Sequence, residues 1–351
     1  MSEVDQCHGL EEIAQRMVAS GKGILAIDES SATCNKRFEK LGIPTTTEAR
    51  RAYRELLLTA PEVESFVSGA ILYEETIRQT TAAGRTFVEV MNERGIIPGI
   101  KLDTGLVSLA NTNDEKVTKG LDDLPERAAT FREIGARFAK WRAVFTVTNE
   151  LPSERAIHAN AHALARYAIV AQAAGLVPIV EPEVLMDGDH SLQRSYDVHE
   201  RVLHSVFGEL ALFGVRLEGM VLKPSMVVAG SQASVQPSVD EVAQATVDVL
   251  MRCVPAAVAG IAFLSGGQSD EQSTAALSEI NRRARNAPWP MTFSFGRALQ
   301  NRALGLWKGE AAAVSDAQAA LAFRSRCNSA ATRGEYTSAM ESSGVAAGSA
   351  R

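Results

Sequence analysis

A single-domain (β/α)8 barrel is the fold class this sequence predicts, and three observations predict it. Eight short apolar runs punctuate the chain, the segments between them mostly carry helical signals, and 351 residues suffice for one large barrel. Short apolar runs bounded by turn residues read as buried strands. Strands that alternate with helices pair in parallel through right-handed crossovers. A doubly wound open sheet is the alternative, but eight strands and no Gly-rich dinucleotide turn weigh against it.

The expected strands, in order, are Gly23–Glu29, Gly69–Glu74, Pro98–Asp103, Phe138–Val147, Val177–Val184, Gly219–Val227, Gly260–Gly267 and Met291–Gly296. Among the intervening segments, Thr47–Thr59 is charged and amphipathic, and Leu124–Phe138 opens with a Pro-Glu helix start. Ser153–Gly175 is Ala-rich and stops at glycine, and Val239–Val249 and Glu271–Asn286 read similarly. The second interval is less regular and predicts one helix around Thr76–Arg85. Residues 1–327 are expected to form the barrel with an N-terminal helical extension. Residues 328–351, rich in Ser, Ala and Gly, read as a flexible tail.

Composition narrows the function. The net charge is −6, from 36 basic and 42 acidic residues, which argues against nucleic acid as a partner. Cys7, Cys34, Cys253 and Cys327 show no paired spacing, so a reducing cytoplasm is expected. Met1–Asp5 is acidic and lacks an apolar core, so no signal sequence is expected. The most membrane-like stretch, Ala163–Val180, carries Arg166, Gln172, Gly175 and Pro178 and reads as helix, turn and strand, so no membrane partner is expected.

The placement of charge points to a site. Asp28 ends the first run, Glu74 the second, and Lys101 with Asp103 the third. Lys140 and Arg142 lie in the fourth, Glu181 and Glu183 in the fifth, and Lys223 in the sixth. Residues two apart share a strand face, so the three pairs would project together toward the carboxyl end of a barrel. Lysine is almost never fully buried unpaired, and burying this many charges makes little sense for stability alone. A lysine centred in an apolar run, as Lys223 is, can also serve as a carbonyl nucleophile when desolvation and neighbouring cations lower its pKa.

Anion binding is expected at the same end. Ser265-Gly266-Gly267-Gln268-Ser269 follows the seventh run and leads toward a helix, where backbone N–H groups can meet an anion. Gly296-Arg297 follows the eighth and adds a guanidinium suited to phosphate. Loops after barrel strands seven and eight recur as phosphate sites. A second anion locus is expected at Ser30, Ser31, Thr33, Lys36 and Arg37, with Lys101 and Arg142 nearby. Metal chemistry fits poorly: His158 and His162 are four apart but lack a zincin glutamate, and no strand ends in histidine. No serine has a nucleophile-elbow context.

Gly21–Ser30, Ala139–Arg142, Val180–Glu183, Leu222–Pro224, Leu264–Ser269 and Phe295–Gln300 closely resemble class I, Schiff-base fructose-bisphosphate aldolases, in order and spacing from about Gly21 to Tyr336. The resemblance implies a (β/α)8 barrel, usually tetrameric, that needs no cofactor. It implies reversible cleavage of fructose 1,6-bisphosphate to dihydroxyacetone phosphate and glyceraldehyde 3-phosphate, in glycolysis, gluconeogenesis or the Calvin cycle. By it, Lys223 is the imine-forming lysine, Glu181 the general acid/base, Lys140 the group that polarises the carbinolamine step, and Asp28 the group that deprotonates at the breaking bond. Glu183 supports the charge network. Ser265, Gly266, Gly267 and Arg297 match the ketose-side phosphate site; Ser30, Lys36, Lys101 and Arg142 match the other phosphate and the sugar hydroxyls. Fructose 1-phosphate and sedoheptulose 1,7-bisphosphate remain open as substrates.

Two features depart from the family pattern. Animal and plant members end in a tyrosine that aids proton exchange, whereas the last tyrosine here is Tyr336 and the sequence closes Gly348-Ser349-Ala350-Arg351. Ser31-Ala32-Thr33-Cys34-Asn35 replaces the Ser- and Gly-containing stretch of animal enzymes, with Thr33 keeping a hydroxyl.

Overall fold

The computed structural model describes residues 3–345. Eight parallel strands close into a barrel: β1 (Gly23–Ile27), β2 (Val67–Leu72), β3 (Ile97–Lys101), β6 (Phe138–Phe145), β7 (Val177–Val184), β8 (Val221–Leu222), β9 (Gly260–Phe263) and β10 (Met291–Phe295), with β10 pairing back to β1. Between β3 and β6 the chain makes an antiparallel hairpin, β4 (Leu106–Ser108) with β5 (Lys116–Thr118), which the sequence reading did not anticipate.

Helices fill the intervals for local reasons. Ser153, Ser191, Ser238 and Ser269 each cap a helix by accepting from the backbone N–H three residues on, and Ser238/Glu241 and Ser269/Gln272 complete capping boxes. The helix expected around Thr76–Arg85 is not there. Instead Glu74–Ile77 and Phe87–Glu93 are separate short helices joined by a turn, with Gly84 at φ +81° and a Thr86/Glu89 capping box starting the second. Glu74 therefore opens a helix rather than ending a strand, and it pairs loosely with Arg78 outside the barrel (3.6 Å).

The period-2 side-chain pattern divides the barrel interior along its axis. Its amino end holds Ile24, Ala26, Ile97, Phe138, Val177, Ile179, Val221 and Ala262, sealed from below by Leu10, Ala14, Met17 and Val18. These last residues belong to the helix Glu3–Met17 and the turn after it. Gly99 makes room for the Phe138 ring, since a Cβ there would sit 2.2 Å from it. Continuing four of these strands by two residues replaces apolar with charged: Ala26 leads to Asp28, Phe138 to Lys140, Ile179 to Glu181 and Val221 to Lys223. The apolar plug leaves the charges no exit except at the carboxyl end. A second, larger core lies between strands and helices.

The chain stays ordered past the boundary expected at Cys327. The helix Val314–Ala331 runs through it, with Cys327 and Asn328 buried. Asn328 accepts from Thr274 Oγ1 at 2.9 Å and donates to the Arg324 carbonyl at 3.0 Å. A further helix spans Ala339–Val345. Residues 346–351 of the expected tail lie outside the described residues. Among the described residues, Cys34, Cys253 and Cys327 are free and buried, and no helix is long and apolar enough to cross a membrane.

Candidate active site

The strand ends bring together most of the residues expected there. Lys223 closes the short ladder of β8, its N–H donating to the Val180 carbonyl at 2.8 Å. Its Nζ lies 3.0 Å from Glu181 Oε1, and both residues are about 4% exposed or less. Lys140, on β6, which lies beyond β7 from Lys223, is equally buried. Its Nζ lies 2.9 Å from Asp28 Oδ2, 3.2 Å from Glu181 Oε2 and 3.5 Å from Asp103 Oδ2. Lys101 pairs with Asp103 at 2.7 Å, and Arg142 Nε donates to Glu183 Oε2 at 2.5 Å.

Every buried cation in this cluster meets a carboxylate, as burial demands. Burial alone would raise the Asp28 carboxyl, but Lys140, Lys223 and Lys101 outweigh it and hold Asp28 at about 2. Asp103 is lowered likewise, burial being outweighed by Lys140 and Lys101. Burial works against the charged form of Lys140, yet Asp28, Glu181 and Asp103 push its pKa well above the ordinary lysine value. Lys140 is therefore a fixed cation at neutral pH. Glu181 Oε2 lies 3.2 Å from Lys140 Nζ and makes no directed hydrogen bond.

Two residues that hold this geometry carry no role in the sequence reading, although Asp103 belongs to its charge pattern. Asp103 bridges Lys101 and Lys140; its signal was the same i, i+2 phase that marked Lys101. Glu29 accepts from Arg37 and, at 2.9 Å, from Arg54. No sequence spacing links Glu29 to Arg54, so only the folded chain reveals that pair.

A cleft opens above the cluster in two lobes. The inner lobe, about 210 Å³, is lined by Lys223, Glu181 and Glu183 together with Ser265, Gly266, Gly296 and Arg297. The outer lobe, about 440 Å³, is lined by Ser30, Thr33, Lys101, Arg142, Tyr73 and Arg127, and Asp28 and Lys140 border both. Gly266 and Gly267 adopt φ of +60° and +99°, which a side chain would strain. A Cβ on Gly267 would also meet Met186 Sδ at 2.8 Å. Gly296 caps the helix Arg297–Trp307 with no side chain in the way, leaving its amino terminus open to an anion. Ser30 caps the helix Ser31–Glu39, with Thr33 Oγ1 3.1 Å away.

Of the expected anion residues, Arg37 lines the inner lobe with its guanidinium already engaged by Glu29, by Gln300 at 3.2 Å and by Asn301 at 3.3 Å. Lys36 is exposed on the outer face of its helix and lines neither lobe. Among the described residues, no group of three or more His, Cys, Asp or Glu could hold a metal ion.

The family model described as "Fructose-bisphosphate aldolase class-I" matches residues 9–350. The chain belongs to the class I fructose-bisphosphate aldolase family. It is 53% identical over 328 residues to a probable fructose-bisphosphate aldolase class 1 of Xanthomonas campestris pv. campestris, covering 93% of this chain and 98% of that one. It is 50% identical over 316 residues to the cytosolic fructose-bisphosphate aldolase 4 of Arabidopsis thaliana, covering 90% and 80% respectively. Among solved structures, the fructose-bisphosphate aldolase of Plasmodium falciparum, crystallised with TRAP and a small-molecule inhibitor, superposes with a TM-score of 0.93. The two are 45% identical, with 95% of this chain and 96% of the other covered. The expected barrel and family are thus both established. The aldolase is a lyase that cleaves fructose 1,6-bisphosphate reversibly through a lysine Schiff base.

Proposed function

We propose that Lys223 is the lysine that forms the Schiff base, with Glu181 as its proton shuttle. The observation that carries this is the 3.0 Å contact between Lys223 Nζ and Glu181 Oε1 at the floor of the inner lobe. The Lys223 ammonium first passes a proton to Glu181. The neutral amine then attacks the ketose carbonyl, and Glu181 returns the proton as the carbinolamine hydroxyl leaves as water. Lys140, held cationic by three carboxylates, stabilises the oxygen on which charge develops. The iminium then draws in the electron pair of the C3–C4 bond, Asp28 takes the C4 hydroxyl proton, and the aldehyde departs. Protonation of the enamine and addition of water release dihydroxyacetone phosphate and free Lys223.

The two phosphates of the substrate fit the two lobes. Gly266, Gly267 and the open helix terminus at Gly296–Arg297 favour the ketose-side phosphate, and Lys101, Arg142, Ser30 and Thr33 favour the other. Fixing both ends holds the reacting bond over Lys223. Lys36 lies outside both lobes, and Arg37, held by Glu29, braces the floor. A cytoplasmic homotetramer is the assembly and compartment we assign on family grounds, and light scattering of the purified chain tests the assembly.

The decisive experiment is borohydride reduction in the presence of dihydroxyacetone phosphate, followed by peptide mass spectrometry. The adduct is expected on Lys223. An adduct on Lys101 or Lys140 would overturn the assignment.

A further inference from the structure

The ladder that seats Lys223 is short. β8 pairs with β7 only through Ile179↔Val221 and Val180↔Leu222, plus the Lys223 N–H bond to Val180. Beyond it the backbone bonds to the other neighbour instead, the Pro224 carbonyl accepting the Leu264 N–H at 3.1 Å on the β9 side, and the ladder to β7 stops. Yet β7 runs on to Val184, and Glu183, the residue before it, belongs to the site. Backbone hydrogen bonding alone therefore does not hold Lys223 and the end of β7 in register where the chemistry needs them.

A side chain takes over. Ser225 Oγ accepts the Val184 N–H at 3.0 Å, bridging the two strands beyond Pro224. The same oxygen lies 3.1 Å from His199 Nε2, and His199 Nδ1 lies 2.7 Å from the Ser195 carbonyl. The proton positions follow from these partners. A carbonyl can only accept, so Nδ1 carries the hydrogen; Nε2 is then the acceptor, and Ser225 donates to it. All three residues are buried. The chain of bonds runs from the helix Leu192–Leu212, which carries Ser195 and His199, to the ends of β7 and β8.

We propose that Ser225 and His199 are positioning residues that lock the carboxyl ends of β7 and β8, so that Lys223 stays within proton-transfer distance of Glu181. Neither side chain reaches the cleft. This rests on the reading of Lys223 as the imine-forming residue. Without the lock, the end of β8 is tied by backbone beyond Lys223 only on its β9 side, and it can shift against β7 by fractions of an ångström. Shifts of that size are costly to a proton transfer, whereas the phosphate lobes, built on other loops, keep their shape.

The test is single-turnover imine formation, followed by borohydride trapping with dihydroxyacetone phosphate, together with steady-state cleavage of fructose 1,6-bisphosphate. Ser225→Ala is expected to slow trapping at Lys223 and to lower kcat by about tenfold or more, with KM changed by less than about threefold. His199→Phe, which leaves Ser225 without its acceptor, is expected to do the same and substitutes for Ser225→Ala should that variant not fold. His199→Gln, whose carbonyl can still accept from Ser225, is expected to restore at least half of the rate. Wild-type trapping rates in both His199→Phe and Ser225→Ala would overturn the proposal, as would a matched loss in Gln and Phe variants. If the wild-type enzyme itself gives no adduct on Lys223, the assignment of Lys223 fails rather than the lock.

Discussion

Lys223 Nζ and Glu181 Oε1 lie 3.0 Å apart, nearly sealed from water, while Lys140 touches the other oxygen of the same carboxylate. One carboxylate thus meets two lysines: Lys140 is pinned as a cation by Asp28 and Asp103 as well, whereas among the described residues Lys223 has this one ion-pair contact.

Glu181→Gln should therefore preserve shape and hydrogen bonding but remove the proton acceptor. The expected result is a kcat reduced by about 10²-fold or more, the usual scale of general acid–base catalysis, with a much smaller change in KM. Stopped-flow cleavage assays check it; an unchanged kcat would show that another group moves the proton.

Acid should weaken the fold in two separable steps. Burial holds His199 down to about 4, below its ordinary value of 6.5. The unfolded chain binds the proton first, so stability falls as pH drops from about 6.5 to 4, by roughly 3 kcal/mol for this shift. Asp28, held at about 2 against an ordinary 3.8, contributes stability that is present above 3.8 and lost only as pH falls toward 2. Urea unfolding across pH 4–8 should show the first step in the wild type and not in His199→Gln.

The C-terminal segment should matter to stability more than to rate. Glu341 is engaged: Arg324, which is 2% exposed, donates to it, and so does Tyr336 Oη at 2.8 Å. Trimming the chain after Tyr336 strips Arg324 of its carboxylate while leaving its bonds to Thr274 and the Asp270 carbonyl. A loss of about 1–3 kcal/mol is expected by denaturant titration. The cleavage rate should change by less than about tenfold, or ~1.4 kcal/mol in the barrier. A larger drop with intact circular dichroism would place part of the segment in the catalytic cycle.

Chelation should leave the reaction untouched. The imine supplies the electron sink that a metal would otherwise provide, and Lys140 supplies a fixed positive charge beside it. Prolonged EDTA treatment followed by gel filtration is expected to return the full cleavage rate; activity lost and then restored by zinc would contradict this.

The barrel, its strand order and the identity of the charged cluster were legible in the sequence because strand side chains alternate with a period of two. That rule turns Ile24-Ala26-Asp28 or Val177-Ile179-Glu181-Glu183 into an apolar floor and a charged mouth without any knowledge of contacts. Capping serines and glycine stops marked the helices by equally local physics. What only the tertiary structure decided are meetings between distant segments: Glu29 with Arg54, Ser225 with His199, Arg324 with Glu341, and Asp103 with Lys140. Each is a buried polar group finding its partner across the fold, and the need for a partner is visible in a sequence while its identity is not. The same limit explains the misread interval at Thr76–Arg85, where Gly84 and the Thr86 cap broke a helix that composition alone left continuous.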